Sequence, residues 1–330
     1  MPIINTAIHL KDLPVPPPEK TGWPWTEGTE CLPDLMPDGR KWPRISIVTP
    51  SYNYGQFIEE TIRSVLLQGY PNLEYIIIDG GSTDNTVEII QKYENYLTYW
   101  VSELDEGQTD AINKGYLYCT GDIFAWINAD DAYTKSALQM VSKYYLKGYT
   151  FIAGSSLTLY VDGSTGIVNS VPCDFGRYLK FWIYCALPQV SVFVAKKISD
   201  NCFPLDKSLY YLMDYQFFLR VLSQRPKSAY TNEIWSKFRF HGKNKTGGYN
   251  SEGMEEFYQV ALAESKKLPP IRRQIFAMYV KDFVVLHPLI LNRLSLTPKE
   301  IIQALKLRPT IGQWTIFWKM LFKSIINLAK

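Results

Sequence analysis

Between residues 44 and 131, short β-branched runs alternate with stretches of helical period, and this alternation limits the possible folds more than any other feature of the chain. Ile45, Ile47 and Val48 make a strand over residues 44–49, which Pro50 ends. Phe57, Ile58, Ile62, Val65 and Leu66 then recur near helical spacing, until Gly69, Tyr70 and Pro71 stop them. Residues 74–78 read as a second strand, 86–93 as a helix and 96–101 as a third strand. A loop and helix follow over 105–114, with Gly115 just past the helix end, and then a buried strand over 123–127. The rhythm predicts an α/β fold, with a Rossmann-like, mostly parallel central sheet and flanking helices. Right-handed crossovers would gather the loops after the strands at one edge.

The strand over 123–127 stops at Asn128, Asp130 and Asp131. Acidic residues at the carboxyl end of a central strand sit where open α/β sheets bind ligands. Neighbouring carboxylates can share a hard cation, and such a cation can hold a diphosphate. Residues 50–53, 79–84 and 128–131 would meet at this edge. The combination points to a metal-assisted transferase acting on a phosphorylated or nucleotide-activated substrate.

Outside this region the signals change. Residues 1–41 carry Pro14, Pro16, Pro17 and Pro18, which forbid a regular helix or a central strand. Trp23 and Trp25 in this arm either pack on the domain surface or serve an oligomer contact or acceptor groove. Helices are expected over 136–145 and 209–222, and strands over 151–160 and 189–195. A polar, glycine-rich loop spans 238–248, and the chain is largely helical from 252 onward. The expected division is an extended arm (1–41), a catalytic domain (42–250) and a helical C-terminal extension (251–330). The last stretch, 312–330, combines Trp314, Phe317 and Trp318 with Lys319, Lys323 and Lys330 and no acid. It suits either peripheral contact with an anionic membrane face or packing against the domain or a second subunit, as in a homodimer.

Hydrophobic residues make up 46% of the chain and charged residues 20%, which supports a sizeable core and excludes global disorder. A net charge of only +3 gives no reason to expect a nucleic-acid partner. Five widely spaced cysteines without a C-x-x-C pair indicate neither a zinc knot nor a disulfide scaffold, so a reducing compartment is expected. Neither a secretory signal nor a spanning segment is evident, which makes the expected location cytoplasmic, at most peripheral on the inner face of the cell membrane.

Four motifs in order carry a family resemblance: Ile47-Val-Thr-Pro-Ser-Tyr-Asn53, Ile77-Ile-Asp-Gly-Gly-Ser-Thr-Asp84, Asp105-Glu-Gly-Gln-Thr-Asp-Ala-Ile-Asn-Lys-Gly115 and Trp126-Ile-Asn-Ala-Asp-Asp131. Over residues 44–246 the chain resembles the inverting family 2 glycosyltransferases of the GT-A fold. The resemblance implies that Pro50, Tyr52 and Asn53 lie beside the nucleotide base. Asp79 would accept a ring N–H, its plainer role being that of a turn acid. Asp105, Gln108 and Asn113 fall in the region of the ribose and donor sugar, although Ile112 stands where many relatives carry Arg. Asn128 would meet a ribose hydroxyl, and Asp130 would bind Mg²⁺ or Mn²⁺. Asp131 would orient a donor-sugar hydroxyl or reach the metal through water. His241 and Lys245 would bind the diphosphate, or the histidine would complete the metal shell. Asp214, at the start of a helix, would be the general base, with Asp206 in reserve. Gln189, with Trp182 or Tyr184, would line the acceptor side.

The implied activity is inverting transfer of a sugar from a nucleotide-diphosphate sugar (UDP-, GDP- or dTDP-linked) to a saccharide or lipid-linked saccharide acceptor, in bacterial cell-surface polysaccharide or glycolipid synthesis. A non-catalytic carbohydrate-binding or scaffold protein is the alternative from another class. Nucleotidyl transfer is disfavoured, because residues 50–53 offer no glycine-rich basic loop after the first strand.

Overall fold

A computed structural model gives the fold and describes residues 6–180, 187–242, 244–245, 251–277, 280 and 306. The chain divides into two compact units, Met1–Gly247 and Gly248–Lys330. In the second, helix α8 (Ser251–Ser265) buries Phe257, Val260 and Ala261. Among the described residues no helix is long and apolar enough to cross a membrane. The predicted terminal helix over 312–330 lies outside the described residues, as do Trp182 and Tyr184.

The first unit is built on one mixed sheet in the order β3-β2-β1-β4-β8-β6-β9-β5, with β7 paired to β6. Strands β1 (Ile45–Ser51), β2 (Leu73–Asp79), β3 (Tyr99–Ser102) and β4 (Ile123–Trp126) are parallel. Every residue of β1, β2 and β4 is buried, as expected of strands covered on both faces. Helices α1 (Ile58–Leu66), α2 (Thr86–Lys92) and α3 (Gln108–Tyr116) make the crossovers. Ile58, Ile62, Val65 and Leu66 of α1 join Ile45, Ile47, Tyr75 and Ile77 in one core. The second half contains β5 (Ala132–Tyr133), α4 (Ala137–Leu146), β6 (Phe151–Leu159) and β7 (Thr165–Val168). It continues through α5 (Phe175–Tyr178), β8 (Val192–Ala195), α6 (Lys196–Ser199), α7 (Met213–Ser223) and β9 (Ser228–Arg239).

Several boundaries differ from the sequence expectation. Pro50 does not end β1 but lies inside it, opposite Ile78. Strand β4 pairs with β1 only as far as Val48, so the missing N–H of Pro50 faces a position that β4 has already left. Gly115 lies within α3 rather than beyond it. An added Cβ there would sit 2.5 Å from Val48 Cγ1, so glycine lets the helix press directly onto β1. Residues 189–191 form a 3₁₀ turn, and the strand begins only at Val192. Cys173 is disulfide-bonded, whereas Cys31 and Cys119 are thiols. The cysteine spacing did not point to this bond, because spacing along the chain does not report distance through space.

The arm is anchored by a charge that the α1 pattern did not single out. Arg63 is fully buried. It donates to the carbonyls of Pro14 (2.9 Å), Pro24 (3.0 Å) and Trp25 (2.9 Å) and to the Tyr93 hydroxyl (3.0 Å). Trp25 is buried beneath the guanidinium, and Trp23 donates Nε1 to Tyr133 O at 2.8 Å. Both tryptophans thus pack on their own domain. Replacing Arg63 with Met fills the space but leaves three carbonyls without this donor, two of them buried, at a cost of about 3 kcal/mol. Denaturant unfolding should show this loss, and limited proteolysis should cut first within residues 6–43.

Candidate active site

Because β1, β2, β3 and β4 run parallel, their carboxyl ends share one edge. At the β2 end, Asp79 is fully buried. Its carboxylate accepts from Ser82 N (2.8 Å), Ser82 Oγ (2.5 Å) and Ser102 Oγ (2.6 Å), which draws the ends of β2 and β3 together. A carboxylate offers about four acceptor positions, and these contacts take three of them. Asn53, with φ 55°, adopts the left-handed conformation that asparagine tolerates. Its N–H donates to Ser82 Oγ at 2.7 Å and its Oδ1 accepts from Thr83 N at 2.8 Å, clamping the β1 loop to the β2 loop. Tyr52 stands beside this clamp, 56% exposed. Asp84 accepts from Gly55 N and Thr86 N and supports the same loop.

The β4 end holds the acids. Asp130 and Asp131 are both buried. Asp130 Oδ2 accepts from His241 Nε2 at 3.0 Å and Asn244 Nδ2 at 3.2 Å. Asp131 Oδ1 accepts from Arg239 N at 3.0 Å. The Arg239 guanidinium donates to Asp130 O (2.8 Å) and Glu60 Oε2 (2.9 Å) and lies over the Phe57 ring. His241 is stacked on Phe57 and meets Tyr54 edge-on. Gln108, the first residue of α3, donates Nε2 to Asn128 Oδ1 at 2.7 Å. Burial raises the Asp130 carboxyl above its usual range, with the His241 hydrogen bond opposing the shift. Burial, then the Asp130 charge, raises Asp131 well above that range. Burial, then the charges of Asp130 and Asp131, also raises the Tyr54 phenol.

Among the described residues no group of three or more His, Cys, Asp or Glu side chains is placed to hold a metal by itself. The donors present nonetheless fit a hard cation bound jointly with substrate. Asp130 offers carboxylate oxygens, His241 an imidazole nitrogen, and diphosphate oxygens with water would complete the shell.

The remaining predicted residues fall as follows. Asp214 is half-buried in the first turn of α7, and its Oδ1 accepts from Tyr215 N at 2.7 Å. Its charge reaches the buried Tyr178. Lys245 lies 4.1 Å from the centroid of the Tyr210 ring, over a tyrosine in the loop leading to α7. Asn113 is not turned to the acid edge: Nδ2 donates to Leu205 O at 2.9 Å and Oδ1 accepts from Leu205 N at 2.7 Å. Gln189 caps the end of β4 through Trp126 O at 2.8 Å. Asp206 is a turn acid, accepting from Ser208 N and Oγ. Sequence reasoning missed Arg239, Glu60 and Asn244. Arg239 ends the β9 strand just ahead of His241, the one available hint.

The raised carboxyls give a pH expectation for metal-free protein. A carboxyl whose folded pKa lies above its unfolded value of about 4 contributes most stability at low pH, and loses it as pH rises through the folded value. In chelator, Asp130 and Asp131 should therefore contribute a fall in Tm as pH rises from about 4 toward neutrality, against the opposite contribution of carboxyls held low such as Asp84 and Asp110. Asp131→Asn should flatten that slope and raise Tm at neutral pH by a few degrees, about 1 kcal/mol. Thermal melts across pH, with and without the substitution, check this.

Residues 46–178 match the family model described as "Glycosyl transferase family 2". An uncharacterized glycosyltransferase of Nostoc sp. is 23% identical over 258 residues, covering 73% of this chain and 76% of its own length. A putative teichuronic acid biosynthesis glycosyltransferase, TuaG of Bacillus subtilis, is 38% identical over 102 residues, covering 29% of this chain and 40% of its own. Among solved structures, S. aureus TarS 1-349 in complex with UDP-GlcNAc superposes with a TM-score of 0.56 at 18% identity, covering 74% of this chain and 72% of that one. Residues 46–178 are thus similar to the family 2 glycosyltransferases, and the chain has the GT-A fold.

Proposed function

We propose that the protein transfers a single sugar from a nucleotide-diphosphate sugar to an acceptor hydroxyl with inversion at the anomeric carbon, in assembly of a cell-surface polysaccharide or glycolipid. The observation that carries this reading is the meeting of Asp130, Asp131 and His241 at the strand edge that also holds Asp79 and Tyr52. A carboxylate separate from that cluster, Asp214, would act as base. The UDP-GlcNAc complex of the S. aureus protein and the description of the B. subtilis relative as a putative teichuronic acid biosynthesis glycosyltransferase support the donor class and the setting.

On this reading Tyr52 flanks the base, Pro50 and Asn53 shape its pocket, and Asp79 uses its remaining acceptor position for a ring N–H. Gln108 and Asn128, already hydrogen-bonded, face the ribose and sugar. Asp130, with His241, would hold Mg²⁺ or Mn²⁺, and Asp131 would orient the donor sugar. A bound cation would stabilise the charge that grows on the departing diphosphate. Lys245 adds a second positive group toward the diphosphate. Asp214 takes the proton from the acceptor hydroxyl as its oxygen attacks the anomeric carbon, and the bond to the nucleoside diphosphate breaks. No enzyme nucleophile is needed for this single displacement.

The test is a panel of UDP-, GDP- and dTDP-sugars, reading release of nucleoside diphosphate. Release should stop in chelator, return with Mn²⁺ or Mg²⁺, and be lost in Asp130→Ala. Turnover that persists in chelator would remove the metal from the reading. Asp214→Asn should lower turnover by about 10²- to 10⁴-fold while nucleotide affinity stays unchanged. Wild-type turnover in that variant would exclude Asp214 as base.

A further inference from the structure

Helix α3 lies between the donor-side acids and the segment that leads to Asp214. Its first residue holds Asn128, as described. Thr109, Asn113 and Tyr116 are spaced four and three apart and so share one face. Each meets the chain between Phe203 and Met213, in antiparallel order. Thr109 Oγ1 donates to Met213 Sδ at 2.9 Å. Asn113 exchanges two hydrogen bonds with the backbone of Leu205, at 2.9 and 2.7 Å. Tyr116 stacks on Phe203 with centroids 3.5 Å apart and planes 4° from parallel. Lys207 adds ion pairs to Glu106 at 2.9 Å and Asp110 at 3.3 Å. Gly115 removes slack on the other side by letting α3 touch Val48 of β1.

The amide of Asn113 imitates a rung of β-ladder: it satisfies both backbone groups of one residue, as a neighbouring strand would. The exposed ion pairs add little and are screened by salt. Among the described contacts, the partly buried Asn113 pair therefore carries most of the polar registration between α3 and this segment. Met213, at the end of the zipper, is the residue immediately before Asp214.

We infer that Asn113 is a positioning residue for Asp214, setting the base against the donor through the segment 205–213, and not a ligand of the donor. The inference rests on Asp214 being the base. Asn113→Ala should lower turnover by about 10- to 100-fold, since a misplacement of order 1 Å at a reacting group costs that much. Donor KM and binding of the nucleoside diphosphate with Mn²⁺ should stay within about twofold of wild type, because the loss arises in the transition state alone. Thr109→Val, which removes only the donor to Met213, should show the same split more weakly.

The experiment measures kcat and KM for the donor that the wild type turns over, nucleoside diphosphate affinity by calorimetry, and Tm. A lowered kcat with unchanged affinity supports the inference. An unchanged kcat, or an affinity weakened more than about fivefold, overturns it. If Asn113→Ala does not fold, Thr109→Val decides by the same criteria. Asp214→Asn in the same assay separates the two levels. An active Asp214→Asn protein sinks the base assignment and this inference together. An inactive one beside an unslowed Asn113→Ala protein sinks this inference alone.

Discussion

Burying Asp130 next to Asp131 costs solvation twice and adds the repulsion between them. The surrounding structure is arranged to bear that charge. The Arg239 backbone N–H meets Asp131, and its guanidinium meets Asp130 O. Glu60 fixes the far side of the guanidinium, and the Thr61 hydroxyl reaches the carbonyls of Ala129 and Asp131. One turn of α1 and the end of β9 thus hold the acidic turn from both sides. Phe57 supplies a ring that supports both Arg239 and His241. What these contacts leave uncompensated is the raised proton affinity of the two carboxyls.

The parallel half of the sheet was legible because each of its strands is a continuous apolar run bounded by turn residues, and because the rule of right-handed connection gathers their ends. That sufficed to bring Asp79, Asn53 and Asp130 to one edge. Register was less legible. Pro50 reads as a terminator along the chain, and only the early departure of β4 makes it harmless within β1. Arg63 is a harder case. By period it belongs near the apolar stripe of α1, by charge it should face water, and its partners are carbonyls far away in an arm without regular structure. Arg239 and Glu60 escaped notice for the same reason, since their meaning is in each other and they lie 179 positions apart. Asn113 shows the converse. It occupies a motif position, yet its amide is spent on Leu205.

Helix α3 links the acid turn to the irregular segment that leads to α7. Gln108 touches the acid turn, while further along the same helix Asn113 and Tyr116 hold the approach to α7. A helix of nine residues, pinned to β1 where Gly115 meets Val48, leaves little freedom between them. Rigid elements hold reacting groups more accurately than loops do. Tyr210 and Lys245, by contrast, come from irregular segments.

The docking of the arm has a consequence for the order of events on the ribosome. Trp23, Glu27 and Glu30 find partners at Tyr133, Lys135 and Gln139, separated from them by 110, 108 and 109 positions. A chain made from its amino end therefore exposes the arm long before its seat exists, and the arm settles late. In that interval its clustered prolines have a use that the finished fold conceals. They deprive it of the N–H groups with which it could add as a stray strand to the edge of an incomplete sheet.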